Sequence, residues 1–159
     1  MIVHDYFVFI HFPRTAGSYL RRKLKKIDRT RGFKETHAKV KDINFKISDK
    51  IIFSIIRNPF DWYVSEFINR EYTDFEKYIK ENKGHMTRLF WDTYAIENKF
   101  IHDIIFFKYE DILQYKIMHD EPFNVTENKK DYKSYYTDEL IKIVQENDNY
   151  LLNRFNYKF

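Results

Sequence analysis

Two apolar runs, each ended by a proline turn and followed by a helical pattern, constrain the fold of this chain more than any other feature. The first runs from Tyr6 to Ile10 and reaches its proline at Pro13. The second runs from Ile51 to Ile56 and reaches its proline at Pro59. Short continuous apolar runs are typical of strands covered on both faces. Strands that alternate with helices predict an α/β fold, three-layer α/β/α with a mainly parallel sheet.

The helix after the first turn is predicted from periodicity. Leu20, Leu24 and Ile27 recur at i, i+4 and i+7, and Ser18 is of a type that favours the N-cap position. Residues 83–99 are compatible with a helix or a loop. The same signals predict further elements: a helix through Phe60, Tyr63, Val64, Phe67 and Ile68, a helix from a Thr73/Glu76 capping box to about Lys80, a buried strand over Ile104 to Phe107, a short helix over Tyr109 to Tyr115, and a helix opened by Thr137 that carries Leu140, Ile141, Val144, Leu151 and Leu152.

Length and composition limit the class of protein. The chain has 159 residues without repeats, low-complexity tracts or linkers, which predicts a single domain over residues 1–159. No stretch approaches the ~18 to 20 apolar residues that cross a bilayer. With no cysteine, disulfide frameworks, thiolate zinc sites and cysteine nucleophiles are excluded. A cysteine-free chain whose first residues lack a secretory pattern is expected to be cytoplasmic.

The charge of the chain is mildly positive. Its 28 basic and 24 acidic residues give a net charge of +4, which suits an anionic ligand but is low for a nucleic-acid-coating protein. The basic run from Arg21 to Lys26 either raises the potential for an anionic ligand or is a solvated helix face. Five histidines lack metal-ligand spacing: His4, His11, His85, His102 and His119.

The turn after the first strand carries groups that bind anions. Gly17 allows close backbone approach, Thr15 and Ser18 supply hydroxyls, and Arg14 supplies a forked cation at a helix N-terminus. The nucleotide-binding P-loop differs, because it has two glycines and a lysine directly before its final Ser or Thr. The second strand also lacks the terminal aspartate that helps to hold magnesium. A phosphate-like ligand bound without a metal is therefore predicted.

Four segments of the chain resemble the sulfotransferases that use 3′-phosphoadenosine 5′-phosphosulfate (PAPS). Phe9 to Leu20 resembles their 5′-phosphosulfate loop, and Arg57 to Phe67 resembles their 3′-phosphate motif. Phe107 to Ile112 is similar to the family's rYEDL segment. Tyr135 to Leu140, with the closing Phe155 to Phe159, is similar to its carboxyl-terminal pattern.

This resemblance implies a P-loop NTPase-like sulfotransferase fold and transfer of a sulfuryl group from PAPS to an acceptor hydroxyl, with a carbohydrate as the expected acceptor. PAP is then the product, and no metal takes part. The segment Asn128-Lys129-Lys130 is similar to a family loop written NkS, with Lys130 in place of serine. The residues implied to contact the donor are Arg14, Thr15, Ala16, Gly17, Ser18, Tyr19, Arg57, Ser65, Asn128 and Lys129.

Two residues are candidates for the catalytic chemistry. Arg14 stands where the family has a loop lysine and is predicted to act as an electrostatic clamp on the leaving group. His37 is the candidate base, because the ordinary imidazole pKa of ~6.5 suits proton abstraction near neutrality. Glu35 is the substitute base, and the alternative for His37 is a partly exposed loop position. Helical spacing from Phe60 puts Ser65 off the apolar stripe, where it is expected to be open to a ligand.

Two other functions stay open at this point. The first is a P-loop-type nucleotide or small-molecule kinase, which a magnesium requirement would indicate. The second is a catalytically degenerate protein that binds PAP or PAPS, which the Arg14 replacement and the short chain allow.

Overall fold

The backbone of the chain groups into two compact units. The computed structural model describes residues 1–32, 39–42, 50–97, 99–100, 103–114 and 130–159. The first unit comprises Met1–Ile56 with Phe90–Asn124, and the second comprises Arg57–Leu89 with Val125–Phe159. A single domain over residues 1–159 stays a prediction.

The first unit contains a five-stranded sheet. Its strands, in the order in which they lie side by side, are β3 (Arg31–Gly32), β1 (Ile2–Val3), β2 (Phe7–Ile10), β4 (Ile51–Ile56) and β7 (Ile104–Lys108). Parallel pairing joins β2 to β4 and β4 to β7, whereas the short β1 pairs antiparallel with both β2 and β3. Four of the five strands therefore run in one direction, which confirms the mainly parallel sheet. A separate hairpin pairs β5 (Ala95–Ile96) with β6 (Lys99–Phe100).

One face of this sheet is covered by two helices. Ile2, Phe9 and Ile55 form its buried centre. Helices α1 (Gly17–Leu24) and α5 (Tyr109–Gln114) pack apolar side chains against that centre. These side chains are Leu20, Leu24, Tyr109 and Ile112.

The opposite face is covered by the last turns of α4 (His85–Tyr94). The hydroxyl of Tyr94 lies 2.6 Å from Oγ of Ser54 on β4. The rings of Phe90 and Tyr94 lie 5.5 and 5.0 Å from the ring of Phe106 on β7. Helices therefore lie on both faces of the sheet, which confirms the α/β/α prediction.

The regular elements of the second unit are all helices among its described residues. Its longest helix, α2, is buried along most of its length, from Pro59 to Phe67 except at Asp61. No helix in the part of the chain that the structure describes is long and apolar enough to cross a bilayer. The helices are α2 (Pro59–Asn69), α3 (Phe75–Glu81), α6 (Asp138–Asn147) and α7 (Asn149–Arg154), with the first turns of α4 and a 3-10 helix at Tyr132–Tyr135; a further 3-10 helix at Val40–Asp42 belongs to the first unit.

The predicted helix caps have different outcomes. The prediction for Thr137 is confirmed, since its hydroxyl accepts a hydrogen bond from Leu140 N at 3.4 Å. The Thr73 capping box is wrong by one residue, because the Asp74 carboxylate accepts from Lys77 N at 2.9 Å. Ser18 is not an N-cap either. Ala16 takes that place in a left-handed conformation, and Ser18 lies inside α1.

Three further predictions need correction. Ile27 lies beyond α1 and is 44% exposed. Strand β7 is not buried on both faces, since Ile105 and Phe107 are 50% and 49% exposed. The last predicted helix divides at Asp148, so that Leu151 and Leu152 belong to α7. Residues 83–99, which are compatible with a helix or a loop, contain all of α4, strand β5 and the first residue of β6.

Candidate functional site

The turn between β2 and α1 is shaped by two left-handed residues. Arg14 has φ 61° and Ala16 has φ 56°. Thr15 between them is fully buried, and its hydroxyl donates a 2.7 Å hydrogen bond to the Phe12 carbonyl. Alternating left-handed and ordinary residues turn successive backbone N–H groups toward one side and form a concave anion-binding nest. The backbone of this turn therefore has a form that suits an anion, and the anion cradle itself stays a prediction.

Gly17 is required in this turn by close packing. A Cβ atom at this position would overlap the imidazole of His11. That imidazole is 3% exposed and stacks on Phe9, with 6.2 Å between ring centroids. The close approach at Gly17 is thus made by a side chain of the same unit, and His11 has a structural position.

The N-terminus of α1 adds a second source of donors. The Ala16 carbonyl accepts from Tyr19 N at 3.0 Å and from Leu20 N at 3.2 Å, so the helix is regular from its first turn. The N–H groups before these two have no acceptor within a helix and carry partial positive charge. No acidic residue lies in the first turn of α1. A ligand anion is therefore not opposed by a carboxylate of this helix turn.

Tyr19 lies just beyond the turn, under the basic run of α1. Its side chain is 3% exposed, and Arg22 and Lys23 lie 5.9 and 5.5 Å from its ring centroid. Its hydroxyl has no hydrogen-bond partner among the described residues. Lys25 and Lys26, in contrast, are exposed. Part of the basic run is therefore the solvated helix face that the sequence allows, and part covers an aromatic ring.

The turn between β4 and α2 is held by side chains. Asn58 caps α2, since its Oδ1 accepts from Phe60 N at 3.1 Å, and Pro59 is the first helical residue. The Nδ2 of Asn58 donates to the Lys158 carbonyl at 3.0 Å. Proline at this position is pre-shaped for a helix start and loses no hydrogen bond there. The Asn58-Pro59 pair therefore determines that α2 begins at Pro59, two residues after Arg57.

Arg57 is buried and paired. It is 7% exposed, its Nε donates to Asp61 Oδ2 at 2.6 Å, and its Nη2 lies 2.5 Å from the same oxygen. The sequence predicts a role for Arg57 but none for Asp61. The i, i+4 spacing of opposite charges on a helix is the signal that could have found it.

The C-terminal segment packs on the start of α2. The Phe60 ring lies 5.0 Å from the Phe159 ring and 5.4 Å from the Tyr136 ring. The Tyr136 hydroxyl donates to the Phe60 carbonyl at 2.9 Å, and burial raises the pKa of this phenol well above its ordinary value. The two segments that resemble the family's carboxyl-terminal pattern thus contact its 3′-phosphate motif.

Ser65 does not have the exposed position that helical spacing predicts. It is 5% exposed, and its neighbours Val64 and Glu66 on α2 are also buried. Its contact with a donor stays a prediction.

Several predicted residues lie outside the described part of the chain. They are Glu35, His37, Asn128 and Lys129. Lys130, which is described, is exposed.

The second unit contains a buried polar network that the sequence patterns do not predict. The carboxylate of Asp148, which is fully buried, accepts from the Tyr63 hydroxyl at 2.8 Å, from Thr87 N at 2.9 Å and from Thr87 Oγ1 at 2.7 Å. Burial raises the pKa of Asp148 above its ordinary value, although these hydrogen bonds oppose the shift. The partners are 61 and 85 residues away, so no local pattern indicates them.

No group of three or more metal-ligating side chains occurs among the residues described. The two turns carry the cations Arg14 and Arg57 and main-chain N–H groups, which are of the kind that stabilises negative charge on a phosphate or sulfate.

Comparisons with known proteins found one similar structure to report. No family model matches the chain, and no curated protein matches it. The crystal structure of mouse sulfotransferase SULT7A1 complexed with PAP is similar, with 12% sequence identity, 94% of this chain and 84% of that chain covered, and a TM-score of 0.49. A similarity at this level does not assign a family or an activity to the chain.

Proposed function

We propose that this protein is a sulfotransferase that moves a sulfuryl group from PAPS to an acceptor hydroxyl, with a carbohydrate as the acceptor. One observation carries the proposal. The segment that resembles the family's 5′-phosphosulfate loop, Phe9 to Leu20, has left-handed residues on both sides of a buried threonine at the N-terminus of a helix. That is the backbone form of an anion cradle.

The β2–α1 turn would bind the 5′ end of the donor. Its N–H groups from Arg14 to Ser18 and the Ser18 hydroxyl are suited to phosphate and sulfate oxygens. When PAPS is bound, its sulfuryl group can pass in line to the acceptor oxygen, while the bond from sulfur to the 5′-phosphate oxygen breaks and PAP leaves. Arg14 would stabilise the negative charge that develops on the leaving phosphate. Its guanidinium stays charged and can hold two oxygens, but it cannot donate its proton away.

The second motif would bind the 3′-phosphate. Arg57 supplies a buried, forked cation, and Ser65 on the same α2 supplies a hydroxyl. Arginine suits this task because its planar N–H groups match two phosphate oxygens. Arg57 would thus allow this motif to bind the negative charge of the 3′-phosphate without a metal.

The remaining roles rest on the resemblance. His37 would take the proton of the acceptor hydroxyl, with Glu35 as the substitute base, and Asn128 and Lys129 would contact the donor. A cytoplasmic location belongs to the same proposal, because a chain without cysteine suits a reducing compartment.

Arg14 also favours a second candidate function. A loop arginine in place of lysine could leave a protein that binds PAP or PAPS without transferring the sulfuryl group.

Transfer of labelled sulfate tests the proposal and separates it from the alternatives. The full chain is incubated with PAPS labelled in its sulfuryl group, a panel of carbohydrates and a chelator. The proposal expects label in at least one carbohydrate and an equal amount of PAP. Binding of PAP without transfer to any acceptor would favour the degenerate binding protein. Magnesium-dependent phosphoryl transfer from ATP would favour the kinase.

A further inference from the structure

The ion pair at the start of α2 places a carboxylate directly beside the proposed phosphate ligand Arg57. The side chains of Arg57 and Asp61 are 8% and 14% exposed. Nε and Nη2 of the guanidinium both point to Oδ2 of Asp61, at 2.6 and 2.5 Å. One edge of the guanidinium is thus occupied by a carboxylate of the same helix.

We infer that Asp61 is a positioning residue that orients the Arg57 guanidinium toward the 3′-phosphate of the donor. The inference rests on the proposed function. A guanidinium is planar and carries five N–H donors, so a contact along the Nε–Nη2 edge fixes the direction of the Nη1–Nη2 edge. That second edge has the geometry for a bidentate contact with a phosphate. The entropy of ordering a long side chain is then lost on folding instead of on binding.

A second ion pair, at the end of α2, differs from the Arg57–Asp61 pair in the exposure of its arginine. Glu66 and Arg70 also pair at i, i+4, with 2.5 Å between Glu66 Oε1 and Arg70 Nε. In that pair the carboxylate is buried, at 6% exposed, but the arginine is 56% exposed. Asp61 therefore holds a buried cation, whereas Glu66 holds a cation at the surface. The Glu66–Arg70 pair supplies a matched control on the same helix.

Asp61 has two opposing effects on anion binding. Its negative charge reduces the attraction between the second motif and a phosphate, and Asp61→Asn would remove that effect. The same substitution would replace the charged partner along the Nε–Nη2 edge of a buried guanidinium with a neutral amide, which orients that guanidinium less strongly. The positioning effect is expected to dominate, because a bidentate contact depends on both the distance and the plane of the guanidinium.

The test compares two nucleotides that differ in the 3′-phosphate. The full chain is titrated in a calorimeter with PAP and with adenosine 5′-phosphate, for the wild type and for Asp61→Asn and Glu66→Gln. The expected result for Asp61→Asn is a loss of about tenfold or more in PAP affinity, typical of residues that orient a ligand group. Binding of adenosine 5′-phosphate, which lacks the group that Arg57 contacts, should change little. Glu66→Gln should leave the affinities for both nucleotides unchanged.

A structural role for Asp61 would give a different result. Unchanged or tighter PAP binding by Asp61→Asn, or equal losses for both nucleotides, would overturn the inference while PAP binding by the wild type still supports the proposed function. If the wild type does not prefer PAP to adenosine 5′-phosphate, the proposed function itself fails.

Two more variants keep the test valid if Asp61→Asn does not fold. Asp61→Glu retains the charge and should retain part of the preference for PAP. In an Arg57→Lys background, which lacks the guanidinium plane, Asp61→Glu should no longer affect that preference. An equal effect of Asp61→Glu in both backgrounds would overturn the inference.

Discussion

The two turns that follow the parallel strands β2 and β4 are built in different ways. The β2–α1 turn depends on its main chain: left-handed Arg14 and Ala16, a threonine bonded to a carbonyl, and a glycine packed on an imidazole. The β4–α2 turn depends on side chains: the Asn58 cap and the Arg57–Asp61 ion pair. The first can therefore offer N–H groups to a ligand and the second a cation. Non-glycine residues in the left-handed region are strained, and such strain is concentrated at functional sites.

The largest expected effect of a single change in either turn is that of Gly17→Ala. The added Cβ would overlap the His11 ring, which is buried and cannot move away easily. We expect a loss of about 3 kcal/mol or more in the free energy of unfolding, measured by chemical denaturation. Adding His11→Ala should make Gly17→Ala much less costly. An equal cost in both backgrounds would show that the main chain of this turn does not depend on that contact.

Arg14→Ala tests whether the cation of the first turn acts in chemistry or in binding. Because the clamp acts on charge that develops during transfer, we expect turnover to fall about 100-fold while the affinity for PAP falls much less. Single-turnover transfer and calorimetry measure the two quantities. Lys26→Ala, which removes an exposed cation beyond α1, is the control and should change neither. Equal losses of turnover and affinity would contradict the assigned role.

Asp148→Asn tests stability outside both turns. We expect it to reduce the free energy of unfolding by about 1 to 3 kcal/mol at acidic pH, because it removes a buried carboxyl that is hydrogen-bonded to Tyr63 and Thr87. The pKa of Asp148 is raised in the folded state, so the folded chain binds its proton more tightly than the unfolded chain. The contribution of this group is therefore largest below its ordinary pKa of 3.8 and is lost as the pH rises through the raised pKa.

Denaturation of wild type and Asp148→Asn across this pH range checks the sign. The difference between the two proteins should shrink as the pH rises above 3.8. A difference that grows with pH would contradict the raised pKa. PAP binding should not change, since Asp148 belongs to neither turn.

The smallest expected effect is that of Ala16→Gly. Glycine adopts a φ of 56° without strain, so the substitution should stabilise the protein by up to about 1 kcal/mol. Ala95→Gly is the control, because Ala95 lies in β5 without a positive φ, and it should be destabilising by about 0.5 to 1 kcal/mol. Thermal unfolding of both variants gives the comparison. Destabilisation by Ala16→Gly would show that the left-handed turn stores little strain.

Local sequence patterns predict much of this fold. They do not predict left-handed backbone conformations or contacts between residues that are far apart in the chain. The apolar runs before Pro13 and Pro59 predict β2 and β4, and Thr137 predicts the start of α6. Serine favours the N-cap position, which predicts Ser18 as the cap of α1, but the cap is Ala16 in a left-handed conformation. Alanine has no preference for that conformation, so the sequence does not indicate it.

The candidate site shows the same division. Arg14 and Arg57 are identified as candidate site residues because each lies in a turn after a predicted strand. The burial of Ser65 does not follow from the sequence, since α2 is covered on faces that a single-helix pattern assigns to solvent. The Asp148 network joins residues far apart in the chain, so no spacing rule detects it.

A metal-free titration with PAP, comparing Arg57→Ala with Arg70→Ala, tests the central claim most directly. Both variants remove an arginine that pairs at i, i+4 with a carboxylate of α2, but only Arg57 belongs to the proposed 3′-phosphate motif. We predict that the wild type and Arg70→Ala bind PAP with similar affinity and that Arg57→Ala loses about tenfold or more. Absence of binding by the wild type, or binding that does not depend on Arg57, would contradict the account.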